Sequence, residues 1–477
     1  MTATIHDQRQ LDGPEANKFS SKSSRCPIEG FTAADRADPY WGNMWATGAH
    51  ASWASLRFVQ QEMRRGAKLP KSMRPDVTPD EALARLIDRG ATATKRRYHS
   101  KRRQDRLSAL AAIGMWRTIT AEQLVAITGS TYGGNDNTLL DLLGAGLIEI
   151  GEFHKNFTSM GKQHRRIYRP AESKMFESLA DEVGYSEWMS ITAGMPWTKG
   201  PPHTRHNLLA TELALRLAEY CDVSMTFGES LSGLDLLSTN TIDPDVFAKA
   251  DATIIRPDGH RIAIEITSST GPSFTGKVER WAKTLRRTNP RKVGLSVLFV
   301  DASPPDATAK HRSDNWARIR STVAKAATSE MDYIFEEVPE RMAVTRWEWM
   351  FPSYGTFAHA MTTLRAQRPT RSDGDEIWET VDLIGDNGIP FTPDDPEAAG
   401  AVIASAQNLW GTPAWLRPNP TVDLSAEMLK NHYGIEVENL KKPTESEYRS
   451  ARKEAAGEIE DDWLSGQPDG DDDDWLS

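Results

Sequence analysis

Residues 250–267 constrain the fold of this chain more than any other stretch. They read Ala250-Asp251-Ala252-Thr253-Ile254-Ile255-Arg256-Pro257-Asp258-Gly259-His260-Arg261-Ile262-Ala263-Ile264-Glu265-Ile266-Thr267. Two strand-like runs flank Pro257-Asp258-Gly259, which suits a three-residue hairpin loop: a type I turn closed by a left-handed glycine. The loop predicts the register. Arg256 pairs with His260, and counting outward places Asp251 opposite Glu265. Ala252, Ile254, Ile262 and Ile264 then form an apolar face, while Asp251, Thr253, Ala263, Glu265 and Thr267 share the other. A slip of one residue would send the two acids to opposite faces.

Two carboxylates facing each other across a strand pair, with Cβ atoms about 5 Å apart, repel unless a cation lies between them. Oxygen-only ligation suits a hard divalent ion such as Mg²⁺, which keeps several of its waters. A metal held there could activate water and stabilise charge on a phosphoryl group. Asp251 and Glu265 are therefore candidate metal ligands and catalytic residues.

The surrounding pattern alternates helix and strand. A helix is expected from His203 to about Tyr220, carrying Leu208, Leu209, Leu213 and the acidic Glu212. A strand over Val223–Phe227 leads to Glu229. Lys277 opens a further helix, and Val293–Val300 is a continuous apolar run of the parallel-sheet kind. A helix over Trp316–Ala327 and strands near Tyr333–Phe335 and Trp347–Met350 complete an α/β core assigned to residues 173–350. His203 and His206, three apart at a helix start, read as capping or solvated side chains.

Upstream, residues 40–98 are expected to be helical, through an aromatic stretch from Tyr40 to Arg65 with Trp41, Trp45 and Trp53, and a helix from Thr78 to about Arg89. Residues 99–172 show three helices and then two strands. Leu107, Leu110, Ala111 and Met115 form one helical face. Thr120-Ala121-Glu122-Gln123 is a capping box for the second helix, which ends near Gly129. Leu139–Leu143 marks the third, and Leu147–Ile150 and Arg166–Arg169 the strands. This order resembles a winged-helix domain. Between residues 91 and 170 there are 13 Lys/Arg and 6 Asp/Glu, a surface that would gather phosphates by counterion release. Arg96, Arg97, Lys101, Arg102 and Arg103 on the basic arm, with Lys155, Lys162, Arg165 and Arg166 on the wing, are the candidate contacts to double-stranded DNA. The third helix offers Asn135, Asp136, Asn137 and Asp141 but no Arg or Lys for guanine edges, so weak sequence preference is expected.

Helix with Glu212, strand with Glu229, then Asp251 and Glu265-Ile266-Thr267 resemble the PD-(D/E)XK nuclease superfamily. In that pattern the two carboxylates bind Mg²⁺ and a lysine two residues later polarises the attacking water. Joined to the winged helix, the arrangement is similar to the replication-relaxation family of plasmid and mobile-element proteins, over roughly residues 100–350. The resemblance implies a restriction-endonuclease-like α/β core and a role in plasmid replication, DNA relaxation or transfer, with Mg²⁺-dependent nicking where the site is intact. Glu212 and Glu229 would support the water. Two positions depart from the pattern. Ala250 replaces the proline before Asp251, and Thr267 stands where the lysine belongs, leaving Lys277 as the candidate replacement. A non-catalytic winged-helix regulator or adaptor with an inert core is the alternative, and a pure assembly protein a third reading.

The remaining features bound these readings. No phosphate-binding Gly-rich loop or nucleophile elbow occurs. Cys26 and Cys221 cannot frame a disulfide scaffold or a four-ligand zinc site. No apolar run is long enough for a membrane span and no leader-like segment opens the sequence, so a cytoplasmic protein is expected. Residues 1–39 read as disordered and 351–450 as an extension of unassigned role, with polar joins over Arg365–Asp386. The net charge of −10 resides entirely between Glu454 and Ser477, which hold ten acidic residues and no Lys or Arg. This acidic tail, assigned to 451–477, repeats Asp-Asp-Trp-Leu-Ser. Trp463, Trp475 and Leu476 are candidate contacts to a protein partner.

Overall fold

The computed structural model describes residues 36–417, apart from 88–92, 131, 133–136, 154–165, 201–203, 238–248, 330–337, 371–376 and 386–387, and four positions between 444 and 450; residues 93–102 are described as backbone alone. Among the described residues the fold is mixed α/β with two sheets.

Residues 36–39, expected to be disordered, are buried. The Arg36 guanidinium lies between two glutamates at zero side-chain exposure, and the Ala37 N–H donates to Glu122. The next residues continue as a strap rather than the single helix expected for Tyr40–Arg65. Tyr40–Met44 is one helical turn. Strand β1 (Ala51–Ala54) and helix α1 (Leu56–Arg64) follow. Gly48, in the left-handed region at φ +72°, turns the chain between the Tyr40–Met44 turn and β1. The strap is pinned by side-chain donors: the Tyr40 hydroxyl to Ser303 O at 2.7 Å, Trp41 Nε1 to Phe351 O at 2.7 Å, and Trp45 Nε1 to Ala302 O.

Helix α2 (Pro79–Leu86) begins with the Thr78/Glu81 capping box. Helix α3 (Ala93–Trp116) starts inside the region set apart as 40–98 and runs across its boundary. Strand β2 (Ile119–Thr120) leads into α4 (Ala121–Thr128), capped by Thr120 and Gln123 and closed by Gly129 at φ 72°. Helix α5 (Thr138–Gly144) and strands β3 (Ile148–Phe153) and β4 (Arg166–Pro170) complete this part. Its sheet has the order β1-β3-β4-β2, so β1 covers the β3 edge that would otherwise be open.

Helices α6 (Ser173–Ala180) and α7 (Tyr185–Thr192) connect to α8 (Thr204–Tyr220). The second sheet holds β5 (Met225–Gly228), β6 (Ala252–Ile255), β7 (Arg261–Thr267), β8 (Leu295–Asp301), β9 (Met342–Arg346), β10 (Arg365–Thr370) and β11 (Ile377–Asp382), hydrogen-bonded in sequence order. Strands β5, β6 and β7 form an antiparallel meander, and β7, β8 and β9 are parallel. Helix α9 (Pro272–Arg287) crosses from β7 to β8, and α10 (Ala309–Thr328) lies between β8 and β9 in the chain. Ile262, Ile264, Ile266, Leu298 and Val300 pack with Leu209, Leu213 and Leu217 of α8. Ala263, Val297, Phe299 and Val344 pack with Trp281 and Leu285 of α9 and with Ile319 of α10. The strand alternation read from the sequence thus serves two apolar layers, one on each face.

Two regions of the later chain depart from expectation. Trp347–Met350 is a helical turn, with Trp347 and Met350 buried at i,i+3 spacing; the strand is the five residues before it. Arg365–Asp386 contains the β10–β11 hairpin, so the sheet runs on past residue 350 and the 351–450 segment is not separate from it. Helix α11 (Pro396–Ala406) follows the hairpin. The Tyr333–Phe335 strand lies outside the described residues.

His260, at the end of the hairpin loop, gives the fold a pH signature. It is 3% exposed, Nε2 meets Ser296 Oγ at 2.9 Å, and Nδ1 has no hydrogen-bond partner among the described residues. Burial, reinforced by Arg256, lowers its pKa to about 3. Below the ordinary histidine value of 6.5 the unfolded chain takes up a proton that the folded chain refuses, so this contribution to stability falls as pH drops from 6.5 towards 3. His260→Gln should flatten the pH dependence of urea unfolding across that window; an unchanged slope would refute the assignment.

Candidate functional site

The hairpin adopts the expected register. Ala252 pairs with Ile264, Ile254 with Ile262, and the Arg256 N–H donates to His260 O at 2.9 Å across a loop closed by Gly259 at φ 85°. The ladder stops one residue short of Asp251. The Asp251 N–H donates to Ile264 O at 3.0 Å, and its Oδ2 accepts from the Ile266 N–H at 2.6 Å. Asp251 is therefore fixed at the end of β6 by its carboxylate, rather than as a laddered partner of Glu265.

Glu265, on β7, is 1% exposed. Its Oε1 accepts from Trp281 Nε1 at 2.6 Å, and Oε2 lies 3.0 Å from Lys277 Nζ. Lys277 and Trp281, four apart on α9, present one helical face to the carboxylate. Helix α9 begins at Pro272, so Lys277 sits in its second turn rather than at its start. Its side chain is 29% exposed. Burial pushes Glu265 up to about 7; Lys277 opposes that shift and the negative charge of Asp251 adds to it. Burial would lower Lys277, but the facing Glu265 and Asp251 outweigh it and hold its pKa above the usual lysine value. Lys277 is thus a fixed cation.

The other acids separate from this group. Glu229 follows Gly228, the partner of Ala252, but its carboxylate accepts from Asn207 Nδ2 at 2.6 Å. Glu212, fully buried on α8, pairs with Arg36 at 3.2 Å and Arg216 at 2.6 Å and accepts from Gln123 Nε2 at 3.1 Å. Burial alone would raise its pKa; Arg36 and Arg216 bring it below the ordinary value. Its role is a buried ion-pair network, not the support of a water at Asp251. His206 Nδ1 meets Ile266 O at 3.0 Å, tying the start of α8 to the residue whose N–H holds Asp251.

Among the described residues no group of three or more His, Cys, Asp or Glu side chains is arranged to hold a metal ion. The two carboxylates nevertheless supply the hard oxygen donors that Mg²⁺ prefers, and each oxygen can accept more than one partner. The donor chemistry fits such an ion, with water completing its shell.

Of the DNA-contact candidates, Lys155, Lys162 and Arg165 lie outside the described residues, and Arg96, Arg97, Lys101 and Arg102 are placed on α3 by backbone alone. Arg103 pairs with Glu187, its Nη2 donating to Oε2 at 2.7 Å, and so joins α3 to α7. Arg166 is half-buried opposite Glu152 in the β3–β4 ladder. Asp141 of the third helix faces inward, 2% exposed beside Arg85. Trp463, Trp475 and Leu476 lie outside the described residues.

The sequence reading missed Trp281, Asn207 and Arg36. Only Trp281 left a signal, its i+4 spacing from Lys277. Compared with protein-family models, curated proteins and solved structures, the chain matches none. No helix among the described residues is long and apolar enough to cross a membrane.

Proposed function

We propose that this chain is a double-stranded-DNA-binding protein of the kind used by plasmids and other mobile elements in replication, relaxation or transfer. On this reading α3–β2–α4–α5–β3–β4 is a winged helix and α8–β5–β6–β7–α9–β8 a restriction-endonuclease-like core. Asp251, Glu265 and Lys277 then form a Mg²⁺-dependent phosphodiester-cleaving site. The observation that carries the proposal is the Lys277 ammonium 3.0 Å from Glu265 Oε2. It restores from a helix the cation that Thr267 cannot supply. The antiparallel meander followed by a parallel fourth strand supports the same reading.

Asp251 and Glu265 would hold Mg²⁺, which supplies Lewis acidity and a more acidic bound water. The chain's own groups do the rest. The Ile266 N–H holds Asp251 in place. Lys277 keeps its proton and sets a positive charge where phosphoryl oxygens gain negative charge. In the test, supercoiled plasmid is nicked in Mg²⁺ or Mn²⁺, and Asp251→Ala abolishes nicking without loss of folding. Equal nicking by the variant rejects the site.

A second reading, DNA binding by an inert core, is favoured by the near-complete burial of Glu265 beneath Trp281. DNA retention that falls steeply with salt, with no cleavage in any metal, would select it. Either reading gives the tail an electrostatic role. Deleting residues 454–477 removes ten acidic residues and no Lys or Arg; folding should be unaffected, and DNA affinity should rise, most of all at low salt. An affinity unchanged at low salt would show that the tail does not compete with DNA.

A further inference from the structure

Helices α9 and α10 lie side by side over one face of the second sheet, and each carries five Lys or Arg against a single acidic residue. Their apolar residues are spent on the sheet: Phe274, Val278, Trp281 and Leu285 on α9, and Trp316, Ile319 and Val323 on α10. The charge consequently collects on the outer side. On α9 it begins at Lys277 and continues through Arg280, Lys283 and Arg287, each half-exposed or exposed. At 3.6 residues per turn these positions fall within an arc of about 120° and span roughly 15 Å. That length matches four to five base-pair steps at about 3.4 Å each. Arg318 and Lys325 add exposed charge on α10.

We infer that the outer face of α9 and α10 is a second DNA-contacting surface, separate from the winged helix, which holds the sugar–phosphate backbone of the duplex and leads it to Asp251 and Glu265. The inference rests on the DNA-binding reading above. Its physical basis is continuity: one end of the basic stripe is the ammonium that pairs with Glu265. A strand tracking the stripe would therefore bring a phosphate to the carboxylates without any base contact. Such contacts position the duplex and carry no sequence information.

The test is the salt dependence of full-length protein binding to a linear duplex in Mg²⁺-free buffer, where cleavage does not intervene. Arg280→Gln/Lys283→Gln/Arg287→Gln should reduce the slope of log K against log salt by about 2.7, for three lost phosphate contacts. Glu279→Gln/Asp314→Asn, which removes the opposing charge from the same face, should tighten binding at low salt. Both sets of side chains lie on the outer helix surface, and affinities are compared at equal folded fraction, fixed by the melting curve of each variant. If the parent binds the duplex and neither variant alters its affinity or slope, this surface is not a DNA contact and the winged helix binds alone. If the parent does not bind DNA at all, the DNA-binding reading falls, and this inference with it.

Discussion

Arg36→Met is expected to lower the free energy of unfolding by about 3–5 kcal/mol, the usual consequence of stripping one partner from a buried ion pair. The Arg36 Nε lies 3.2 Å from both oxygens of Glu212, and its Nη2 is 3.0 Å from Glu219 Oε2. All three side chains have zero exposure. Without the guanidinium, Glu219 loses its bidentate partner, while Glu212 keeps Arg216 at 2.6 Å. Urea unfolding near neutral pH measures the change, and a loss below about 1 kcal/mol would show that the network relaxes without cost. Adding Glu219→Gln to Arg36→Met should recover part of the loss, because no carboxylate is then left buried without its cation. The pH dependence has a definite sign. Glu212 is held below the ordinary glutamate value of 4.5, so its contribution is complete above that pH and is lost as pH falls through the folded value. Arg36→Met should weaken that acid limb.

The second large effect concerns Lys277. Lys277→Met should reduce nicking by about 10²–10³-fold, as removal of a preorganised charge from a reacting centre does, while duplex affinity falls by no more than a single phosphate contact allows. Lys277→Arg should restore part of the rate, since a cation returns with different geometry. A purely structural ion pair predicts the reverse: Lys277→Met would destabilise the fold and leave any cleavage rate per folded molecule unchanged. Single-turnover nicking normalised to the folded fraction separates the two.

These effects bear on what the sequence could reveal. The hairpin register was legible because Pro257-Asp258-Gly259 leaves few loop geometries, and the second helix of the first module because Thr120 and Gln123 cap it through neighbours three residues apart. Local chemistry determined both. Arg36 was not legible: its partner Glu212 is 176 residues away, and nothing near Arg36 distinguishes it from the polar residues around it. Glu212 was assigned to the water-supporting set for the same reason, since an acid on a helix does not declare which cation it meets. The β10–β11 hairpin was hidden by polarity. Its strands are joined by Arg365–Asp382 and Arg368–Glu379 ion pairs, so they lack the apolar run that marked β8. Trp347–Met350 misled because aromatic residues favour strands, whereas here they bury at helical spacing. At the candidate site the two acids were readable and their support was not: the hydrogen bond from Ile266 to Asp251 depends on a ladder that ends one residue early.

The strap of residues 36–45 also fixes an order of events during synthesis. Its anchors are Glu212 and Glu219, then Ala302 and Ser303, and finally Phe351. A ribosome adding about 5–20 residues per second needs roughly 15–60 s to pass from Arg36 to Phe351. For that interval Tyr40, Trp41 and Trp45 have emerged without the surfaces that bury them. The first part of the described chain to leave the ribosome is therefore among the last to dock, and in the growing chain those aromatic residues are available to chaperones until the sheet is made.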